Sequence, residues 1–145
     1  MISISRLKHA DARGVKDINI LVHQLSKHTK GCSLLSLRRI VKNSLSELWV
    51  ARDNKRIVGM GVLYLVEVPE RLKARIEDLV VLAEYRGQRI GQRIMNILIK
   101  RAWQRKVSLI ELTSRPARTA ANKLYLKVKF ERTPTNTYRL YAKRS

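Results

Sequence analysis

In the stretch "EYRGQRIGQRIMNILIKRAW", Glu84 to Trp103, glycines and arginines cluster where a strand-like run passes into helical periodicity. That spacing suits the binding of an anion, above all a phosphate. The first turn of a helix carries backbone N–H groups without intrahelical partners, together with the positive end of the helix dipole. Gly87 and Gly91 let the main chain approach a phosphate with no Cβ in the way, and Arg86, Arg89 and Arg93 add charge-assisted hydrogen bonds. Taken alone, the pattern also fits a solvated basic turn. A metal centre has less behind it. Cys32 is the only cysteine, and its spacing from His9, His23 and His28 matches no zinc pattern. One cysteine forms no internal disulfide, as expected of a reducing compartment.

The elements that must position this turn follow from periodicity. Ile2, Ile4 and Arg6 alternate as a first strand, and Asp11 caps a helix carrying Val15, Ile18, Leu21, Val22 and Leu25 and ending near Lys27. After "HTKGCS", the spacing of Leu34, Leu37, Ile40, Val41 and Leu45 predicts a shorter helix. "ELWVARDNKRIVGMGVLYLVEVPE" holds two antiparallel strands around a turn at Asp53 and Asn54, and "ARIEDLVVL" is a fourth strand. Beyond the basic turn, Ile90, Ile94, Ile97, Leu98 and Ala102 share one helical stripe that Trp103 extends. "VSLIELT" predicts a fifth strand, Ala117 to Val128 a further helix, and "KFERTPTNTYRLYAK" a closing pair of strands around Pro134. The order β-α-α-β-β-β-α-β-α-β-β implies an α/β sheet of mixed direction. With no repeat, linker or low-complexity tract, residues 1–145 read as a single domain.

Composition narrows the class. Hydrophobic residues at 45% and charged residues at 29% fit a folded chain. No apolar run approaches the roughly 18 residues that cross a bilayer. The amino terminus lacks the apolar core of a signal peptide, which predicts a cytoplasmic protein and no membrane partner. Charge is the outlying quantity: 31 Lys and Arg against 11 Asp and Glu give +20. From Tyr85 onward, sixteen basic residues face only Glu111 and Glu131. Such a field attracts anions, leaving nucleic acid, an acidic protein, headgroups or a polyphosphate cofactor as candidates.

From Ile76 to Phe130 the order and spacing are specific. "IEDLVVLAEYRGQRIGQRIMNILI" and "AANKLYLKVKF" resemble the GNAT superfamily, the acetyl-coenzyme A-dependent N-acetyltransferases. That family's pattern is a strand, an R-x-x-G-x-G/A turn opening a helix, another strand, and a helix ending in LY-x-K-x-GF. The resemblance implies a mixed, mostly antiparallel central sheet of about six to seven strands flanked by about four helices. It implies acetyl-CoA as cosubstrate and no metal. By position, the coenzyme A diphosphate falls to Arg86, Gly87, Gln88, Arg89, Ile90, Gly91 and Gln92. The pantetheine arm falls to the main chain of Leu79, Val80, Val81 and Leu82, and Arg118 and Asn122 also lie on the cofactor side.

Three positions depart from the family pattern, and each adds positive charge: Arg89 and Lys129 replace glycines and Arg118 an asparagine. A positive φ at Arg89 costs roughly 1 to 3 kcal/mol, which a charged hydrogen bond to phosphate, about 1.5 to 3 kcal/mol, offsets. Lys129 stands where a helix closes through a left-handed residue, so a positive φ is expected there at about 1 to 2 kcal/mol.

Acetyl transfer to an amine needs a neutral nucleophile, a polarised carbonyl and a proton for the leaving sulfur. A lysine-like amine is neutral at pH 7 only about once in 2,500 molecules, so it needs a base. The resemblance assigns the leaving-group proton to Tyr125, the base to Glu77 with Asp78 as its neighbour on the other face, and carbonyl polarisation to an amide near Val81. The plain alternatives are a core aromatic for Tyr125 and ion-paired carboxylates for Glu77 and Asp78. The acceptor end falls to "SKHTKGCSLLS", where His28 is a further candidate base, and to "RTPTNTY". An amine-bearing small molecule or a protein is the expected acceptor, with RNA or another acidic partner for the basic surface. The competing reading is an impaired binding module of the same fold, its donor site spoiled by the three departures. Trp49 and Trp103 read as core or sheet-covering groups.

Overall fold

The computed structural model describes residues 1–143. The chain divides into two compact units, Met1–Thr113 and a second that begins at Ser114. The first runs β1 (Ile2–Arg6), α1 (Ala12–Leu25), α2 (Leu34–Lys42), β2 (Ser46–Asp53), β3 (Arg56–Val68), β4 (Arg71–Val81), a 3-10 turn (Ala83–Tyr85), α3 (Ile90–Gln104) and β5 (Ile110–Glu111). The second holds α4 (Thr119–Lys127).

The strands form one sheet in the order β1-β2-β3-β4-β5. β1 to β4 pair antiparallel, and β5 joins β4 in parallel. Two-faced burial shapes β3, where Ile57 to Leu63 are all buried. Gly59 and Gly61 face α3: a Cβ at Gly61 would stand 2.9 Å from Leu98 Cδ1 and 3.1 Å from Ile94 Cγ2. Small residues here set how closely the helix approaches. Val58, Met60 and Val62 alternate with them toward the opposite face, where α1 packs.

At its C-terminal end α3 is tied to the sheet by charge. Glu47 on β2 is 2% exposed, and Arg101 grips it with two bonds, Nε to Oε1 at 2.9 Å and Nη2 to Oε2 at 3.0 Å. Arg105 Nη1 and Trp49 Nε1 each donate to it at 3.2 Å, and Arg6 lies 3.9 Å away. Burial pushes the Glu47 carboxyl up, but the bonds from Arg101 and Trp49 and the charges of Arg101 and Arg6 outweigh it and hold it below 4.5. The carboxylate therefore stays ionised.

Several expectations need correction. The sheet has five strands among the described residues, and the closing pair around Pro134 is absent: residues 131–143 form neither helix nor strand. Pro134 supplies no N–H, and Tyr138 and Leu140, which strand alternation would put on one face, stand in water. A hairpin with nothing covering its apolar face is marginal. β5 shrinks to Ile110–Glu111, and Leu45 falls outside α2. Trp103 is 54% exposed, because one residue past Ala102 the helix has turned about 100° out of its buried face. Met95 fills that face instead. No helix among the described residues is long and apolar enough to cross a membrane.

Candidate functional site

The candidate site grows from two irregularities in β4. Glu77 pairs with Val62 and Val80 with Met60, so Asp78 and Leu79 together stand against Gly61 alone. This is a β-bulge, and Asp78 takes a φ of 52° to form it. On the other side, β5 pairs only with Ala74 and Arg75, so β4 from Glu77 to Val81 runs on with no strand beside that edge among the described residues.

Leu82 N donates to Val58 O at 2.9 Å, so the main-chain groups of Val81, one residue earlier, turn toward the open edge. There Gln24, near the end of α1, donates Nε2 to Val81 O at 2.7 Å and accepts from Ala83 N at 3.2 Å. The Gln24 amide thus bridges the strand end and the following turn. Periodicity offered no sign of it, since its partners lie 57 and 59 residues away.

The basic turn is held from behind by the β2–β3 hairpin. Tyr85 OH donates to Asp53 Oδ2 at 2.7 Å, and Arg56 pairs with Glu84 at 3.2 Å. That hydrogen bond, with smaller help from burial and the Asp53 charge, raises the Tyr85 phenol above its ordinary 10.0. Gly87 takes a φ of 81° with nothing near its missing Cβ, so glycine serves conformation here rather than space. Arg89 follows at φ 61°, ψ 18° as the N-cap of α3 and makes no capping bond through its side chain.

Arg86, Gly87, Gln88 and Arg89 are all exposed. Arg93, expected to join them, instead donates Nη2 to Ile2 O at 3.2 Å. Ile90 buries its side chain in the core, so only its main chain can face a ligand. Gly91 and Gln92 complete the first turn, both half-buried. The helix start is thus cationic, glycine-shaped and without a side-chain cap. Such a turn fits a diphosphate.

Glu77 faces the same side of the sheet as Val62 and pairs with Arg75 Nε at 3.3 Å. Asp78 is exposed. Tyr64 on β3 was not legible as a site residue. Burial raises its phenol above 10.0, and the charges of Asp78, Glu77 and Cys32 push the same way. Cys32 is fixed in the α1–α2 loop by Asn19, whose Nδ2 reaches Cys32 O at 2.9 Å and whose Oδ1 accepts from Cys32 N at 2.6 Å. Gly31, at φ 83°, leaves room for that amide: a Cβ would stand 2.6 Å from Asn19 Oδ1. His28 is exposed on the same loop. Among the described residues no group of His, Cys, Asp and Glu is arranged to hold a metal ion.

In the second unit, Tyr125 is the buried residue of α4 at 7% exposure. Burial lifts its phenol above 10.0 while the Arg118 charge and hydrogen bond pull the other way, so the hydroxyl keeps its proton at neutral pH. Arg118 is the N-cap of α4. Asn122 Nδ2 donates to Arg115 O at 3.0 Å, tying the helix start to its loop. Lys129 has the expected positive φ, 76°. Phe130 N bonds Tyr125 O at 3.0 Å, Lys129 N bonds Leu126 O at 3.1 Å, and the Tyr125 and Phe130 rings meet edge-on at 6.2 Å. Together these form a Schellman cap with its apolar contact, and it holds Tyr125 in place.

The model of the Acetyltransferase (GNAT) family matches residues 18–130. Among solved structures, an aminoglycoside acetyltransferase from an uncultured soil metagenomic sample is 18% identical, with a TM-score of 0.84 over 99% of this chain and 97% of that one. Glucosamine-6-phosphate N-acetyltransferase from Arabidopsis thaliana is 15% identical, with a TM-score of 0.80 over 98% and 99%. Ribosomal-protein-alanine N-acetyltransferase from Brucella melitensis biovar Abortus 2308 is 17% identical, with a TM-score of 0.75 over 99% and 100%. At these identities the likeness is one of fold. No curated protein matches the chain.

Proposed function

The chain belongs to the Acetyltransferase (GNAT) family, and we propose that it moves an acetyl group from acetyl-CoA to a primary amine by direct attack in a ternary complex. The observation that carries this reading is the uncapped, cationic start of α3 behind Gly87 and Arg89. Acetyl-CoA supplies the acyl group as a thioester. The main chain of Arg86 to Gln92 holds its diphosphate, with the Arg86 and Arg89 guanidiniums beside it, and Leu79 to Leu82 align the pantetheine arm. The Val81 N–H, turned to the open edge of β4, polarises the carbonyl.

Glu77, directly or through water, takes the proton of the attacking amine, and Asp78 on the bulge is its alternate. A C–N bond forms as the C–S bond breaks, and Tyr125 OH gives its proton to the departing sulfur. Arg118 keeps the Tyr125 hydroxyl oriented, and Asn122 keeps the start of its helix in place. No metal enters these steps. Residues 1–145 are read as a single N-acetyltransferase domain acting in the cytoplasm. The acceptor is an amine-bearing small molecule or a protein amine, the classes named for the fold's aminoglycoside, glucosamine phosphate and ribosomal-protein relatives.

The test is thiol release across a panel of amines, read beside thermal stabilisation by acetyl-CoA. A 1,000-fold excess over the dissociation constant gives about 4.1 kcal/mol. Tyr125→Phe is expected to lower turnover about 100-fold while keeping that stabilisation. Absence of stabilisation in the unaltered protein overturns the reading in favour of an impaired binding module.

A further inference from the structure

Beyond the Lys129 cap the chain continues as exposed segment 131–143, with neither helix nor strand. It carries large apolar groups into water: Tyr138 is 86% exposed, Leu140 100% and Tyr141 78%. Cations are interleaved with them, Arg139 between Tyr138 and Leu140, and Lys143 after Tyr141. From Ser114 to Lys143 eight lysines and arginines face one acidic residue, Glu131. Asn136 Nδ2 donates to Tyr138 OH at 3.3 Å, which engages the hydroxyl and leaves the ring faces open.

Exposed aromatic faces and interleaved positive charge suit a partner that is itself both flat and anionic. A second copy of this +20 chain brings like charge, and an acidic protein surface offers no repeating planar groups for the rings. Unpaired nucleotides offer both, with bases stacking on aromatic or guanidinium planes and phosphates meeting cations. We propose that residues 131–143, with the lysines of α4, bind single-stranded RNA, bases stacking on Tyr138 and Tyr141 and phosphates lying along Arg139, Lys143, Lys127 and Lys123. RNA is the fitting source because its loops and ends present unpaired bases without strand separation.

The experiment uses the full chain and a labelled oligouridylate of about 12 nucleotides, within the usual range of single-strand sites. Fluorescence anisotropy is read at about 0.1 M salt, where exposed charges are screened beyond about 10 Å. Tyr138→Ala and Tyr141→Ala are each expected to weaken RNA binding about 5- to 150-fold, with Tyr→Phe restoring it because the ring stacks without its hydroxyl. The same alanine variants are expected to bind inorganic polyphosphate, which has no bases, as the parent does. Arg139→Ala is expected to weaken both and to flatten the log-log salt slope for RNA by about 0.7. Both side chains stand in water, so these variants fold, and an unaltered melting temperature verifies it.

Equal losses for RNA and polyphosphate on Tyr→Ala, or unchanged RNA binding, overturn the proposal. So does duplex RNA or single-stranded DNA binding more tightly than the oligouridylate. Concentration-dependent dimers that Tyr138→Ala dissolves would assign the segment to a second copy and overturn it equally.

Discussion

The starts of α1 and α3 solve the same problem in opposite ways. At α1, Asp11 lies in extended backbone at φ −136° and its carboxylate accepts from Gly14 N at 2.7 Å. α2 repeats the device, with Ser33 accepting from Ser36 N at 3.0 Å. At α3 the N-cap is Arg89, left-handed at φ 61° and bonded to nothing in the helix through its side chain. At α1 and α2 a side chain satisfies one of the first N–H groups, and at α1 its carboxylate also opposes the helix dipole. Where α3 begins, a strained backbone and a cation stand instead, which stabilises the helix less and suits an anion from outside. The left-handed Arg89 without a side-chain cap sets the start of α3 apart from those of α1 and α2.

Giving α3 the kind of cap that α1 has breaks the contrast most directly. Arg89→Asp places a carboxylate against those N–H groups, and stabilisation by acetyl-CoA is expected to fall from about 4 kcal/mol to below about 1 in a thermal melt. The far end of α3 sharpens the contrast, since stability there comes from inside the chain. Glu47→Gln leaves Arg101 and Arg105 facing a neutral amide and is expected to cost about 3 kcal/mol of unfolding free energy in a denaturant titration.

Because the Glu47 carboxyl is held below 4.5 in the fold, its contribution is complete above that value and is lost as the pH falls through the lower folded pKa. The gap between the parent and Glu47→Gln should therefore narrow on acidification below 4.5, and a gap that widens refutes the assignment. Asp11→Ala removes a purely structural cap. About 1 kcal/mol of stability should go with it while acetyl-CoA binding is unchanged. Smallest is Arg89→Gly, which relieves the left-handed φ and is expected to raise stability by about 0.5 kcal/mol while weakening acetyl-CoA.

How far the sequence could be read depended on how near each residue's partner lies along the chain. The Asp11 cap acts three residues away, and the turn after Asp53 is a local one. Lys129 was expected in the left-handed region because a helix end needs such a residue there, and its φ of 76° agrees. Gln24 was invisible because it looks like any polar residue on a helix until β4 is brought beside it. Glu47 read as one polar residue in a strand, and the arginines that surround it come from positions 54 and 58 residues further on. The alternation around Tyr138 reads as a strand, yet a strand needs a neighbour to pair with and a face to bury.

By itself the sequence determined the start of α1 at Asp11, the β2–β3 hairpin, the basic turn with its glycine at 87 and the family pattern from Ile76 to Phe130. These are written in short-range sterics, periodicity and spacing. Only the tertiary structure decided that Asp78 and Leu79 bulge against Gly61, that Glu47 gathers its arginines, that Arg93 turns to Ile2, and that residues 131–143 stay out of the sheet. Each of those outcomes depends on which distant surface arrives to pair with, bury or neutralise a group, and periodicity along a chain does not encode that.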